Sequence, residues 1–279
     1  MALDFGISPA AYDYISEVVY KNSRIYLGAT KQQLVSSRLA HRPKAVGVKS
    51  FDQYCDYLHT HKNSDEIEVL VDLIATNHTY FFREQPHFDA LAAQLLPGLL
   101  RHVPAVRNGL RCWSAAASSG EEAFSLAISL SEFNRGQRRI DWHIYGTDIS
   151  RRVLASARTA IYAAAKVKLP DAGLMARYFQ KGSGPYEGQC RIKAALSSNV
   201  TFIQANLFQA AYPVPQPQHI IFCRNVLIYF DPPSQAQLIK RLYDALIPGG
   251  YLVIGISDSL HGIQHPFDNL GGGIFRRAN

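Results

Sequence analysis

The chain has 279 residues, 47% of them hydrophobic, and 29 Lys and Arg against 22 Asp and Glu give it a formal net charge of +7. That length holds one large core, or a medium core with a smaller companion, and no apolar run approaches the roughly 20 residues of a membrane helix, so insertion into a bilayer is not expected. Cys55, Cys112, Cys190 and Cys223 lie far apart with no CxxC or Cys/His spacing. Free thiols in a reducing cytoplasm are therefore expected, rather than a disulfide framework or a metal centre. The opening, MALDFGISPAAYDYISEVVY, has no basic leader region and carries acidic residues early, so it does not read as a signal peptide.

Residues 1–75 read as a small all-α domain. Apolar positions recur at helical spacing in Tyr12, Ile15, Val18 and Val19, in Phe51, Tyr54, Tyr57 and Leu58, and in Ile67, Leu70, Val71 and Ile74. From Val18 to Phe51 there is no acidic residue, while Lys21, Arg24, Lys31, Arg38, Arg42, Lys44 and Lys49 fall inside. A negatively charged partner is one reading, and a solvated basic helix face is the other. The piece is too poor in apolar residues to be a catalytic domain alone, and it is expected to pack against the remainder or a partner.

Residues 76–90 read as a linker that contributes to a site. If Thr76 to Glu84 (TNHTYFFRE) is extended, Asn77, Thr79, Phe81 and Arg83 share one side and His78, Tyr80 and Phe82 the other. One side then offers an amide, a hydroxyl and a guanidinium in a row. The plainer account is aromatic packing at a domain junction, with His78 a packing or surface residue rather than a base. A helix from Pro86 to about Leu100 follows.

Residues 91–279 alternate strands and helices. Leu110 to Leu130 (LRCWSAAASSGEEAFSLAISL) reads as a strand, a tight turn and a helix N-terminus. Ser118 or Ser119 is the expected cap, and Glu121 and Glu122 suit the positive end of the helix dipole. Small residues let backbone amides approach a ligand at the carboxyl end of the strand. The G-x-G-x-x-G fingerprint is missing, however, and Ala115, Ala116 and Ala117 would hinder a pyrophosphate. A ligand without phosphate that carries an ammonium fits better, and S-adenosylmethionine meets both conditions. A second strand, Trp142 to Tyr145, stops at Gly146-Thr147-Asp148. Asp148 is placed there for the two hydroxyls of an adenosine ribose, with a helix N-cap as the structural alternative.

Turn formers are dense within about 172–199, which reads as a small antiparallel hairpin insert. Val200 to Ile203 and His219 to Cys223 resume the strands, and Arg224 and Asn225 sit at the carboxyl end of the latter. Asp231-Pro232-Pro233-Ser234 invites comparison with the D/N/S-P-P-aromatic motif of amino-group methyltransferases. It lies away from the strand end, though, and reads as an N-cap followed by proline. Tyr251 to Gly255 is a further strand, and Gly271 to Arg277 closes the sheet.

TNHTYFFRE, RCWSAAASSGEEAFSLAI, GTDIS, FCRNVLIYFD and LIPGGYLVIG, in this order over nearly the whole chain, resemble the chemotaxis receptor methyltransferases, the CheR family. The resemblance implies an α/β fold: a Rossmann-like class I S-adenosylmethionine methyltransferase domain with a small antiparallel β insert, preceded by a small all-α N-terminal domain. It implies a cytoplasmic enzyme that methylates glutamate side chains on the cytoplasmic helices of chemoreceptors, giving glutamyl methyl esters and S-adenosylhomocysteine. Carried over by motif, cofactor contacts fall on Asn77, Thr79, Arg83, Glu122, Asp148, Asn206, Leu207, Arg224 and Asn225, with the second of Glu121 and Glu122 favoured. Arg83 and Tyr229 match the family's active-site pair. The insert, with GSGPYEG, resembles that of members tethered to a short peptide at the receptor carboxyl terminus.

Three alternatives stand beside this. A nucleic-acid methyltransferase would share the fold and explain the charge, but the basic stretch has few interleaved aromatics for stacking. A non-catalytic cofactor-binding adaptor of receptor arrays would be expected to have lost Arg83, Asp148 or Asn225. A nicotinamide oxidoreductase comes third, weakened by the Ala-rich turn.

Overall fold

The structure, a computed structural model, describes residues 6–61, 65–136 and 139–278, with only the backbone described at Pro104. Residues 1–5, which begin the stretch read above against a signal peptide, lie outside the described residues. Among the described residues no helix is long and apolar enough to cross a membrane. The chain divides into two compact units, one running to Thr76 and including Tyr229–Ser234, the other comprising Asn77–Ile228 and the chain from Gln235.

The first unit holds α1 (Pro9–Ser23), α2 (Gln32–Leu39), α3 (Arg42–Ala45), α4 (Phe51–Thr60) and α5 (Asp65–Ile74). Ser8 caps α1 by accepting the Ala11 N–H, ahead of Pro9, and Ser50 caps α4 through the Gln53 N–H. The apolar faces close one core around Ile15, Val19, Leu39, Tyr54, Leu58 and Leu70. Buried Glu66 is held by the Arg42 guanidinium and the Tyr54 hydroxyl, and Arg38 donates to the Ile74 carbonyl and the Thr76 hydroxyl. Two cations of the acid-free stretch therefore brace the fold, while Lys21, Lys31, Lys44 and Lys49 stay exposed. Arg42→Ala should destabilise this unit by about 3 kcal/mol, because it leaves a buried carboxylate without its cation. Denaturant melts of Arg42→Ala beside the surface variant Lys44→Ala check this, and equal midpoints would refute it.

The segment Tyr229–Ser234 belongs to the same unit. The Tyr26 N–H donates to the Tyr229 carbonyl at 2.8 Å, Ile25 and Phe230 form an antiparallel bridge, and the Tyr20 hydroxyl donates to Asp231. Asp231 accepts the Ser234 N–H at 3.2 Å and Pro232 is the first helical residue, the capping arrangement expected from the sequence.

The second unit begins with α6 (Pro86–Ala90), a π-helical turn at Leu91–Leu95 and α7 (Leu96–His102). A single α-helix was expected here. The Leu96 N–H reaches back to the Leu91 carbonyl, and this widened turn lies just before Pro97, which has no N–H to donate. There follow β1 (Leu110–Ala115), α8 (Glu121–Gly136), β2 (Trp142–Asp148), α9 (Arg151–Thr159), β3 (Ile161–Ala163), α10 (Gly173–Tyr178), β4 (Phe179–Lys181), β5 (Gln189–Ile192) and α11 (Ala194–Ser197). The chain then forms β6 (Val200–Gln204), β7 (Gln218–Phe222), α12 (Pro232–Ala245), β8 (Leu246–Val253), β9 (Phe267–Gly271) and β10 (Ile274–Arg277).

Seven strands make the main sheet in the order β6-β2-β1-β7-β8-β10-β9, and β10 alone runs against the others, antiparallel to both β8 and β9. Strand order reverses between β1 and β7, so the crevice at their carboxyl ends is the switch point where such sheets bind ligands. β2 runs on through Gly146 and Thr147 to Asp148, because its register with β1 and β6 continues to Asp148↔Gln204. The final strand expected from Gly271 is half of a hairpin, in which β9 takes the sheet edge and β10 pairs with β8. The small antiparallel sheet has the order β3-β5-β4 and starts upstream of the turn-rich stretch, since Ile161–Ala163 pairs with Gln189–Arg191.

Candidate active site

The turn from β1 into α8 is narrow and left-handed at Ala116 (φ 69), Ser118 (φ 51) and Gly120 (φ 94). At Gly120 a Cβ would fall 2.9 Å from the Phe202 ring and 3.0 Å from the Ala157 methyl, so glycine is required. Neither serine caps α8 as expected. Ser118 donates its hydroxyl to the Asn77 carbonyl at 2.8 Å and Ser119 donates to Glu121 at 2.6 Å. The turn is held instead by β2, where the Thr147 carbonyl accepts the Ala117 N–H and Asp148 Oδ2 accepts the Ser118 N–H, both at 2.8 Å. Asp148 is not the cap of α9 either. Ser150 is, and Asp148 Oδ1 accepts the Ser150 N–H at 3.0 Å. Asp148 is 6% exposed, and its carboxylate thus stands at the strand end beside the turn. The Asp148 carbonyl takes the Ala205 N–H, which brings the loop after β6 alongside. In that loop Asn206 Oδ1 accepts the Phe208 N–H and the Leu207 side chain is buried.

A second cluster forms where β7 ends. The Arg224 side chain, 1% exposed, donates to Glu122 Oε2 and to Glu84 Oε2, each at 3.0 Å, and also to the Arg83 carbonyl. Glu122 is fixed further by the Ser114 hydroxyl at 2.6 Å. The Arg224 guanidinium is thus engaged with protein groups, and its buried Nε has no hydrogen-bond partner among the described residues. Asn225 is left-handed (φ 55), a conformation asparagine tolerates better than most residues. Its N–H donates to Asp258 Oδ2 at 2.6 Å, and the same oxygen accepts the Gly255 N–H at 2.9 Å. A Cβ at Gly255 would lie 2.5 Å from Asn225 Nδ2, so this approach also demands glycine.

The strap Asn77–Gln85 departs from the expected alternation. Phe82 (φ 54) and Glu84 (φ 57) turn left-handed, so Phe81 and Phe82 are both buried instead of facing opposite ways. Phe81 packs edge-on against Tyr162 and Phe179, Phe82 packs against Phe88, and the Phe82 N–H donates to the Ser125 hydroxyl. Strained non-glycine backbone of this kind persists where surrounding contacts over-determine it, and it concentrates at functional sites. His78 is exposed. Arg83 donates to the His78 carbonyl at 2.9 Å and lies over the Tyr80 ring.

These bonds join Asn77, Arg83, Glu122, Asp148, Arg224 and Asn225 around the carboxyl ends of β1, β2 and β7. Thr79 lies in the same strap, and Tyr229 belongs to the helical unit. Sequence reasoning missed Glu84 and Asp258. Burial pushes the Glu84 carboxyl up, but bonds from Asn225, the Ile256 N–H and Arg224 outweigh it and leave it below the usual range. Glu84 could have been suspected as a charge directly after Arg83 and two buried aromatics. Asp258 carried no signal, since it acts by accepting backbone N–H groups.

The donor set fits a nucleoside that bears an amino acid. It offers a carboxylate at the β2 end for vicinal hydroxyls, an amide and a carboxylate at the β1–β7 crevice, and an alanine-lined turn instead of a phosphate loop. The chain matches the family model described as CheR methyltransferase, SAM binding domain, over residues 77–275, and that described as CheR methyltransferase, all-alpha domain, over residues 10–75. It is 34% identical to the chemotaxis protein methyltransferase of Salmonella typhimurium across 99% of this chain and 92% of that protein. Identity is also 34% to the chemotaxis protein methyltransferase of Escherichia coli, over 96% and 91% of the two chains. For chemotaxis protein methyltransferase 2 of Pseudomonas aeruginosa it is 35%, over 99% and 95%.

Proposed function

The chain belongs to the CheR methyltransferase family, S-adenosylmethionine-dependent methyltransferases of chemotaxis, and from that premise we propose that it esterifies glutamate side chains on the cytoplasmic helices of chemoreceptors. The reaction takes place in the cytoplasm and leaves S-adenosylhomocysteine. The observation that carries this reading is the convergence of Glu122, Asp148, Arg224 and Asn225 on one crevice, with the Arg83 strap bonded to it.

S-adenosylmethionine, when bound, supplies a methyl group activated by its sulfonium. Asp148 takes the ribose hydroxyls. Asn77, Thr79, Arg83, Glu122, Asn206, Leu207 and Asn225 complete the cofactor contacts, and Arg224 contributes by bracing Glu122 and the Arg83 carbonyl. The acceptor needs no general base, because a glutamate with a reference pKa of about 4.3 is already ionised at neutral pH. The protein's task is alignment and removal of water. Arg83 orients the incoming carboxylate without a tight ion pair, which would stabilise the ground state and slow attack. Tyr229 borders the methyl position, an assignment that rests on its motif alone.

Two surfaces suit the receptor. Lys21, Lys31, Lys44 and Lys49 present positive charge to an acidic helix, a contact that salt would weaken. The small sheet has a free edge at β4 and a groove of about 270 Å³ whose lining includes Lys181, Tyr186 and Arg191. A carboxyl-terminal receptor peptide could add there as an extra strand, with its carboxylate near the two cations.

The test is incubation with methyl-labelled S-adenosylmethionine and a chemoreceptor cytoplasmic fragment, followed by mild base. Volatile labelled methanol is the expected product. Label that resists base, or that stays on the cofactor, overturns carboxyl methylation.

A further inference from the structure

The side-chain amide of Asn225 has an NH2 end that only donates and a carbonyl end that only accepts, and its neighbours decide which end faces the crevice. Glu84, an ionised carboxylate, can only accept. The amide must therefore turn its NH2 toward Glu84, where Nδ2 and Oε1 are 3.0 Å apart, and Nδ2 also lies 3.4 Å from the Ser257 hydroxyl. Glu84 cannot swing away, since its Oε2 accepts from Arg224 and from the Ile256 N–H, both at 3.0 Å. Oδ1 of Asn225 is left as the acceptor. In the sheet order β2-β1-β7, Asp148 and Asn225 stand on opposite sides of β1. With the ribose on Asp148, Asn225 faces the amino-acid end of the ligand, whose donor is an ammonium.

We infer that Glu84 is a positioning residue that locks the Asn225 amide so that Oδ1 accepts from the ammonium of the bound cofactor. This rests on the reading that the crevice holds S-adenosylmethionine, but not on the identity of the methyl acceptor.

Glu84→Gln keeps the shape of the side chain and reverses the polarity. Its carbonyl is drawn to the side where the Arg224 and Ile256 donors converge, so its NH2 faces Asn225. That amide then turns over and presents NH2 to an ammonium, donor against donor. Calorimetric titration with S-adenosylhomocysteine and with 5′-methylthioadenosine, which lacks the amino-acid portion, tests this on the whole chain.

Glu84→Gln is expected to weaken S-adenosylhomocysteine by about tenfold or more, the scale of a lost hydrogen bond to a charged group, and to leave 5′-methylthioadenosine unchanged. Asn225→Ala, which leaves the Glu84–Arg224 pair in place, should show the same selectivity and covers the case in which Glu84→Gln fails to fold. Undiminished S-adenosylhomocysteine binding in these variants, or equal loss for both ligands, overturns the inference. A wild-type chain that binds neither ligand overturns the cofactor reading as well.

Discussion

Arg83→Ala is expected to lower turnover on a receptor fragment by about 100-fold or more at saturating cofactor, the scale of losing alignment of a reacting group. The guanidinium is half-buried, held by the His78 carbonyl and stacked on Tyr80, and among the described residues it has no carboxylate partner of its own. Its backbone is fixed from the other side, through the bond from Arg224 to the Arg83 carbonyl. The site should therefore remain built when the side chain is cut back, and the loss should fall on kcat more than on S-adenosylhomocysteine affinity. Tyr229→Phe should cost much less, because it removes the hydroxyl alone and keeps the ring. Steady-state kinetics of the two variants decide this, and an Arg83→Ala enzyme as fast as wild type would remove Arg83 from the reaction.

Asp148→Ala should weaken cofactor binding by roughly 100-fold, since two hydrogen bonds to a charged acceptor are worth about 3 kcal/mol together. The carboxylate also accepts the Ser118 and Ser150 N–H groups, so its removal should loosen the β1–α8 turn in addition to deleting the proposed ribose contact. Asp148→Asn separates the two effects. It keeps one acceptor oxygen and places NH2 against one of the two N–H groups, so an intermediate affinity is expected. Titration with S-adenosylhomocysteine reads all three proteins, and an alanine variant that binds like wild type would place the ribose elsewhere.

Legibility followed the range of the forces involved. The strand, turn and helix at Leu110 to Leu130 were readable because small residues, turn glycine and first-turn carboxylates act over a few positions. The cap at Asp231-Pro232 was readable for the same reason. The Ser118 and Ser119 expectation failed because partners far along the chain compete with local capping. Asn77 lies 41 residues from Ser118 and takes its hydroxyl. The Phe81/Phe82 alternation failed likewise, since aromatic partners from α6, β3 and β4 and the Ser125 hydroxyl reward a left-handed turn that no local propensity favours. Arg38 and Arg42 looked like surface charge because their partners lie 24 to 38 residues away.

By itself the sequence determined the two-part organisation of helices followed by alternating strands and helices, the strand, turn and helix that begin with β1, and the motifs that identify the family. Those features rest on periodicity and on residue types that act locally. Only the tertiary structure decided that Arg224 braces Glu84 and Glu122, that Asp258 gathers the N–H groups of Asn225 and Gly255, and which end of the Asn225 amide is turned to Glu84. A hydrogen bond depends on distance and direction in space, and the parallel pairing of β2, β1 and β7 brings together donors and acceptors more than a hundred residues apart.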